Sequence, residues 1–203
     1  MKQIDFFFDF WSPYAYLASG RLAKIAERHG YAINYCPLDL TRAKLAAGNT
    51  GPANLQIPPK IRYLMSDLRR WAARYGLPLG GVPKGKDTKR INIGALFAQD
   101  RGAAEDYVRE AYDAVWGRGG DPNSDELLSA LAVKLGWDAR EFLDYVGSAG
   151  ADARYEAVFE DAAKRGVFGV PIMIVGDEMW WGNDRLEFLE EFLLERAQQQ
   201  VEA

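Results

Sequence analysis

The sequence predicts an α/β fold of βαβ…ββα order, with a large all-helical insertion between its two halves. Three observations carry that reading. Strand, helix and strand signals follow one another in the first forty residues; from about Thr41 to Arg165 there is almost no strand signal; strand character then returns at Pro171 and leads into one more helix. The expected boundaries put residues 1–41 and 166–203 in one domain and residues 42–165 in the insertion.

Ile4 to Phe8 is an apolar run suited to a buried strand. It breaks at Ser12-Pro13, where proline fits the first helical position because its fixed φ suits the helix and its missing N–H would be unpaired there. Ala18, Leu22, Ile25 and Ala26 fall three and four apart, an amphipathic helix that His29-Gly30 ends. Ala32 to Leu38 reads as a second strand, so the two strands should be parallel with a right-handed crossover. In the insertion, Ile61, Leu64, Met65, Leu68, Trp71, Ala72 and Tyr75 trace one helical face, closed by Gly76 and Pro78. The Gly, Pro and Lys content of Gly80 to Lys89 predicts a mobile connection, and Val108, Ala111, Tyr112 and Val115 mark another helix. Asn123 with Glu126 and Asp138 with Glu141 have the spacing of helix caps, and Tyr155, Val158, Phe159 and Ala162 predict the last helix of the block. Beyond it, Pro171 to Val175, the turn Gly176-Asp177 and Glu178 to Trp181 form a hairpin signal. Gly182-Asn183-Asp184 then caps a final helix from Arg185 to about Ala197, with a fraying tail after Gln198.

Composition excludes several classes of function. The 203 residues are 48% hydrophobic, with six Trp, ten Tyr and ten Phe, which supports a packed core. A net charge of −4 without a basic block offers no footprint for nucleic acid or an anionic membrane surface. No apolar run reaches membrane-spanning length, and Asp5 and Asp9 interrupt the N-terminal run, so no signal peptide is read there. The single cysteine, Cys36, fits a reducing compartment, and the expected location is the cytoplasm. The single histidine, His29, has no acid partner in sequence to support a Ser-His-Asp hydrolase, and no metal-ligand cluster or phosphate loop is present.

A βαβ half, a helical insertion and a ββα half together make the thioredoxin-like arrangement. Redox proteins of that fold carry Cys-x-x-Cys at the start of the first helix; this chain has Ser12-Pro13-Tyr14-Ala15 there. Dithiol chemistry by the protein itself is therefore excluded at that position, and a participating thiol must come from a ligand, glutathione first among them. Ser12 caps the helix, and a hydroxyl donor at a helix N-terminus can also hold a thiolate.

The chain resembles the 2-hydroxychromene-2-carboxylate isomerases, relatives of the kappa-class glutathione transferases within the DsbA-like group. The resemblance is carried by Asp9-Phe10-Trp11-Ser12-Pro13-Tyr14, Gly48-Asn49-Thr50-Gly51-Pro52-Ala53-Asn54, Arg90-Ile91-Asn92-Ile93-Gly94, Val167-Phe168-Gly169-Val170-Pro171 and Gly176 through Arg185. It implies a cytoplasmic, dimeric enzyme that uses glutathione to interconvert 2-hydroxychromene-2-carboxylate and trans-o-hydroxybenzylidenepyruvate in aromatic-hydrocarbon breakdown of the naphthalene type. A thiolate adds to the conjugated system, the ring opens, a bond rotates and the thiolate leaves. Ser12 would lower the thiol pKa of glutathione, Val170 before a cis Pro171 would pair with its cysteinyl part, Asn183 and Asp184 would receive its γ-glutamyl end, and Trp181 would face the ligand. Lys44, Asn54 and Arg90 would meet the small aromatic carboxylate substrate. Two other readings stay open on sequence alone: a kappa-like transferase or peroxidase that consumes glutathione, and a binding or chaperone module on a fold that lost its cysteines.

Overall fold

The computed structural model describes residues 2–51 and 56–202. Four strands form one mixed sheet in the order β2-β1-β3-β4: β1 (Gln3–Phe8), β2 (Ala32–Pro37), β3 (Ile172–Val175) and β4 (Glu178–Trp181). β1 and β2 are parallel, joined by the crossover helix α1 (Pro13–His29), while β3 runs antiparallel to both β1 and β4. The βαβ and ββα halves meet as the sequence predicts.

β1 is continuous in apolar residues because it is central and covered on both faces. Phe6 and Phe8 enter the main core with α1 and the insertion, whereas Phe7 enters a second core with Ile172, Ile174 and Ala162. All three rings are fully buried, each worth about 1.5–3 kcal/mol.

Among the described residues the insertion is helical throughout: α2 (Leu40–Ala46), α3 (Pro58–Tyr75), α4 (Lys89–Asp100), α5 (Ala104–Tyr112) with a π-helical turn at Asp113–Gly117, α6 (Asp125–Lys134), α7 (Ala139–Val146) and α8 (Ala149–Lys164). Two of these, α2 and α4, carry no amphipathic signal in the sequence. α4 is the central helix of the insertion, buried without a break from Ile91 to Ala98, so its apolar residues have no preferred face. It includes the end of the segment read as a mobile connection. Close packing explains Gly94 on this helix: a Cβ there would collide with the Tyr107 hydroxyl and the Phe142 ring.

Two caps differ from expectation in detail. Ser124, not Asn123, accepts the Leu127 N–H at the start of α6, while Asp138 does accept the Glu141 N–H at the start of α7. The last helix, α9 (Leu186–Glu202), follows a 3₁₀ turn at Asn183–Arg185 preceded by Gly182, and no side chain caps that turn. Helical backbone also extends past Ala197, because Leu186, Leu189 and Leu193 dock α9 on the core.

The end of α8 is tied back to β1 by Arg165, which lies 2.7 Å from the Asp5 carboxylate. Burial works to raise the Asp5 carboxyl, but hydrogen bonds from Asn34, Arg165 and Gln3 outweigh it and hold the group below its ordinary value. The stabilisation from Asp5 is therefore complete above its unfolded pKa of about 3.9 and is lost as pH falls through the lower folded value. Arg165→Ala should shrink the difference in denaturant stability between pH 7 and pH 3; an unchanged difference would remove Asp5 from the acid limb.

Candidate active site

The sheet register brings the candidate residues to one end of the molecule. Phe7 near the end of β1 pairs with Ile172 at the start of β3, and Ile172 pairs with Trp181 at the end of β4. The corner Asp9–Ser12, the Val170-Pro171 bond and the turn into α9 thus leave the same edge region. The Val170-Pro171 peptide is cis, as the resemblance implies.

Ser12 is the N-cap of α1, buried, with its Oγ accepting the Ala15 N–H at 3.2 Å. That bond uses the oxygen and leaves the hydroxyl hydrogen without an acceptor among the described residues. The first turn of α1 carries no acidic side chain, so nothing within it neutralises the positive end of its dipole. An anionic sulfur beside Ser12 would meet a donor hydrogen and a favourable field together.

The corner itself is held mainly by the insertion. Asp9 is buried, and its carboxylate accepts four hydrogen bonds: Trp11 N–H at 3.0 Å, Leu40 N–H at 2.9 Å, Thr88 Oγ1 at 2.6 Å and Asn92 Nδ2 at 3.1 Å. Burial pushes this carboxyl above its ordinary value, against the pull of those donors. Asn92 Oδ1 accepts the Phe10 N–H, Tyr112 donates to the Asp9 carbonyl, and Trp116 Nε1 donates to the Phe10 carbonyl. Tyr112 is the last residue of α5 and Trp116 lies within the π-helical turn that follows it. Apart from Ser12, none of these is a site residue on the sequence reading; Asp9, Phe10, Trp11 and Asn92 enter it only within the motifs that carry the resemblance, and Asp9 also as a charge in the N-terminal apolar run.

On the other side of the cis bond, neither the N–H nor the carbonyl of Val170 is taken up by another described residue, while the Pro171 carbonyl accepts the Gly182 N–H at 3.0 Å. Trp180 and Trp181 point to opposite faces of β4. Trp180 packs on Phe192, and Trp181 is 56% exposed with its ring edge-on to Phe168 at 5.0 Å, an aromatic lip beside Val170. Gly182 has φ +112°, which an L side chain rarely adopts. The turn buries Asn183, whose Nδ2 has no hydrogen-bond partner among the described residues, and leaves Asp184 half exposed beside Arg185 at 2.7 Å. The cap reading of these two residues is thus replaced by an unspent buried donor and an exposed carboxylate. Tyr14, on the first turn of α1, donates to Asp67 of α3 at 2.9 Å and lies close enough to feel the Asp184 charge.

A cavity of about 290 Å³ opens beneath Trp11, lined by Asp9, Thr41, Arg42, Lys86, Thr88 and Tyr155 among others. Arg42 is committed to Glu156 and Lys89 to Asp152, whereas Lys86 is exposed and has no ion-pair partner among the described residues. Of the three residues expected to meet substrate, Lys44 lies on the last turn of α2, the helix whose first turn gives Thr41 and Arg42 to this cavity. Arg90 is not on a mobile segment but in the first turn of α4, where it binds Asp125 at 2.7 Å and the Asn123 carbonyl at 3.2 Å. Asn54 lies outside the described residues. Cys36 is buried, and burial pushes its thiol up, away from nucleophilic use. His29 packs at the end of α1 against Glu190 at 3.3 Å. No group of three or more His, Cys, Asp or Glu that could hold a metal occurs among the described residues.

Sheet order, the cis proline and the helix start at Ser12 define a thioredoxin-fold protein whose site has a hydroxyl where redox members keep a thiol. Residues 3–194 match the model of the DSBA-like thioredoxin domain. The chain is 46% identical over 187 residues to 2-hydroxychromene-2-carboxylate isomerase of Pseudomonas putida, covering 92% of each chain. A solved structure of 2-hydroxychromene-2-carboxylate isomerase superposes with a TM-score of 0.94 at 43% identity, over 98% of both chains. Glutathione S-transferase kappa 1 of Caenorhabditis elegans is more distant, 26% identical over 95% of this chain and 91% of its own. The protein belongs to the 2-hydroxychromene-2-carboxylate isomerase family within the DSBA-like thioredoxin proteins.

Proposed function

We propose that this protein is a glutathione-dependent isomerase interconverting 2-hydroxychromene-2-carboxylate and trans-o-hydroxybenzylidenepyruvate in the breakdown of naphthalene-type hydrocarbons. The observation that carries the reading is Ser12: an unspent hydroxyl donor at a helix N-terminus, at the reactive position of a thioredoxin fold. The chain's own thiol is buried elsewhere, and membership of an isomerase family supplies the reaction class.

The glutathione sulfur sits at Ser12, and the free backbone groups of Val170 pair with its cysteinyl unit next to cis Pro171. Trp181 covers it. Asn183 donates its spare N–H to the γ-glutamyl carboxylate, and Asp184 takes the ammonium. The kappa transferase relative, named for glutathione, supports this cofactor. The aromatic acid occupies the cavity beneath Trp11, its carboxylate facing Lys44 and Lys86, with Asn54 as a further contact. The Arg90 guanidinium already has Asp125, which favours a structural role for it. No described helix is long and apolar enough to cross a membrane, in keeping with a cytoplasmic enzyme; the family resemblance supports a homodimer.

Spectroscopic assay of the chromene acid tests the reading. Isomerisation should require glutathione at far less than stoichiometric amounts, with none consumed. Net consumption of glutathione with an electrophile and no ring opening would favour a transferase; absence of glutathione binding at millimolar ligand would favour a binding module. Asp184→Ala is expected to weaken glutathione binding about tenfold, in the lower range for a charged hydrogen-bond partner, with kcat at saturation little changed. A titration that finds the affinity unaltered would remove Asp184 from the site.

A further inference from the structure

We propose that Tyr155 is a catalytic hydrogen-bond donor, its phenol meeting the substrate's keto oxygen as that oxygen gains enolate charge. The assignment rests on the isomerase reading above. Its starting point is Asn92, fully buried on α4, whose amide orientation is settled by its neighbours. Its carbonyl oxygen accepts the Phe10 N–H at 3.2 Å, and its amide nitrogen donates to Asp9 at 3.1 Å and to the Leu38 carbonyl at 3.1 Å. The same nitrogen lies 3.0 Å from the Tyr155 hydroxyl and 3.4 Å from Thr88 Oγ1, so its two hydrogens are shared among these acceptors. An amide nitrogen only donates, so the phenol oxygen accepts and its own hydrogen is left over. No acceptor for that hydrogen occurs among the described residues.

Tyr155 is 2% exposed, and it lines the 290 Å³ cavity beneath Trp11. A buried donor without an acceptor is costly unless a ligand supplies one. Thr88, the other hydroxyl in the Asp9 cluster, already spends its hydrogen on Asp9. Burial, and then the nearby Asp9 charge, push the Tyr155 phenol up, so it keeps its proton at neutral pH and acts as a donor, not a base. Asn92 in turn fixes the direction of the hydroxyl. Asp9, Asn92 and Trp11 connect this phenol to the Ser12 corner through consecutive hydrogen bonds.

The chemistry has a use for such a donor. The glutathione thiolate adds to the benzylic alkene carbon of the ring-opened cis enone; the C–S bond forms, the alkene π pair moves toward the carbonyl, and the keto oxygen takes the negative charge. The carbon–carbon bond is then single and rotates. The charge returns, the alkene re-forms in the trans geometry, and the C–S bond breaks to release the thiolate. No oxidant, reductant or net proton is consumed. A hydrogen bond from a neutral phenol strengthens as the oxygen becomes anionic, so it assists the step more than it assists binding.

Tyr155→Phe removes only the hydroxyl. With saturating glutathione and the chromene acid, kcat should fall about 10–100-fold while KM changes little, somewhat below the usual effect of one oxyanion donor. Glutathione affinity and the ultraviolet thiolate absorbance of bound glutathione should match wild type. Turnover within twofold of wild type would overturn the assignment. So would a loss of thiolate absorbance in step with kcat, since the phenol would then act by bracing the Ser12 corner through Asn92. Should the phenylalanine chain not fold, 3-fluorotyrosine at the same position keeps the shape and makes a stronger donor; kcat should rise about twofold, and an unchanged kcat would count against the role. A wild-type protein that fails to isomerise the chromene acid overturns the isomerase reading and this role with it, whereas wild-type turnover with an unaffected Tyr155→Phe overturns the role alone.

Discussion

Ser12→Ala is expected to leave glutathione bound and to lower kcat about 10- to 30-fold at neutral pH, the share of thiolate lost when the thiol returns to a pKa of about 8.5. Ser12 Oγ gives a lone pair to Ala15 N–H and holds its hydrogen in reserve. Alanine removes the reserve donor but not the helix dipole or the backbone groups of Val170, so affinity should persist. A free thiol has a pKa of about 8.5 and is mostly protonated near pH 7. The serine hydrogen bond and the helix end each favour the thiolate, and one pKa unit needs only about 1.4 kcal/mol. Without Ser12 the thiol pKa rises, so the deficit should narrow as pH is raised toward 9. Measuring kcat from pH 6 to 9 checks this. Turnover near wild type at pH 7 would remove the serine from the chemistry. The cap contributes as well: its loss should cost about 1 kcal/mol of stability.

Asp9→Ala is expected to destabilise the fold by about 3–5 kcal/mol, the range for breaking a buried, fully hydrogen-bonded polar cluster. The substitution orphans Trp11 N–H and Leu40 N–H, which have no other acceptor among the described residues, and takes one partner each from Thr88 and Asn92. At this chain length the melting temperature should drop by roughly 10 °C. The effect reaches the site because residues 9–12 are held by α2, α4 and α5 more than by their own strand, so the corner presenting Ser12 loosens before the sheet does. Asp9→Asn, which keeps one acceptor oxygen, should fall between the two. Denaturant unfolding with an unchanged midpoint in Asp9→Ala would mean that the cluster does not brace the corner.

Much of this was legible in the chain because it depends on local signals. Proline at the start of α1, Gly30 at its end and the Gly176-Asp177 turn are dictated by backbone preferences that need no tertiary partner. The Ser12 position follows from element order. α4 was not legible for the opposite reason: a helix buried on every side has no apolar stripe, and Arg90, read from the flanking loop, turned out to serve Asp125. Ser124 and Asn123 are equally good caps by composition, and only the geometry at Leu127 separates them. Tyr155 was legible as one position in the apolar face of α8; that its oxygen would face Asn92, 63 residues earlier, is a product of packing. The same holds for Asn183, whose residue type suits a cap and whose buried side chain does something else.

The central claim is that Ser12 holds a borrowed thiolate. Titrating the cysteinyl carbon of bound, ¹³C-labelled glutathione by NMR measures the thiol pKa directly, in wild type and in Ser12→Ala. The claim predicts a value at least about one unit below that of a free thiol in wild type, and a return toward about 8.5 in the variant. A wild-type value equal to that of free glutathione, or a lowered value that survives the loss of the serine hydroxyl, would contradict it.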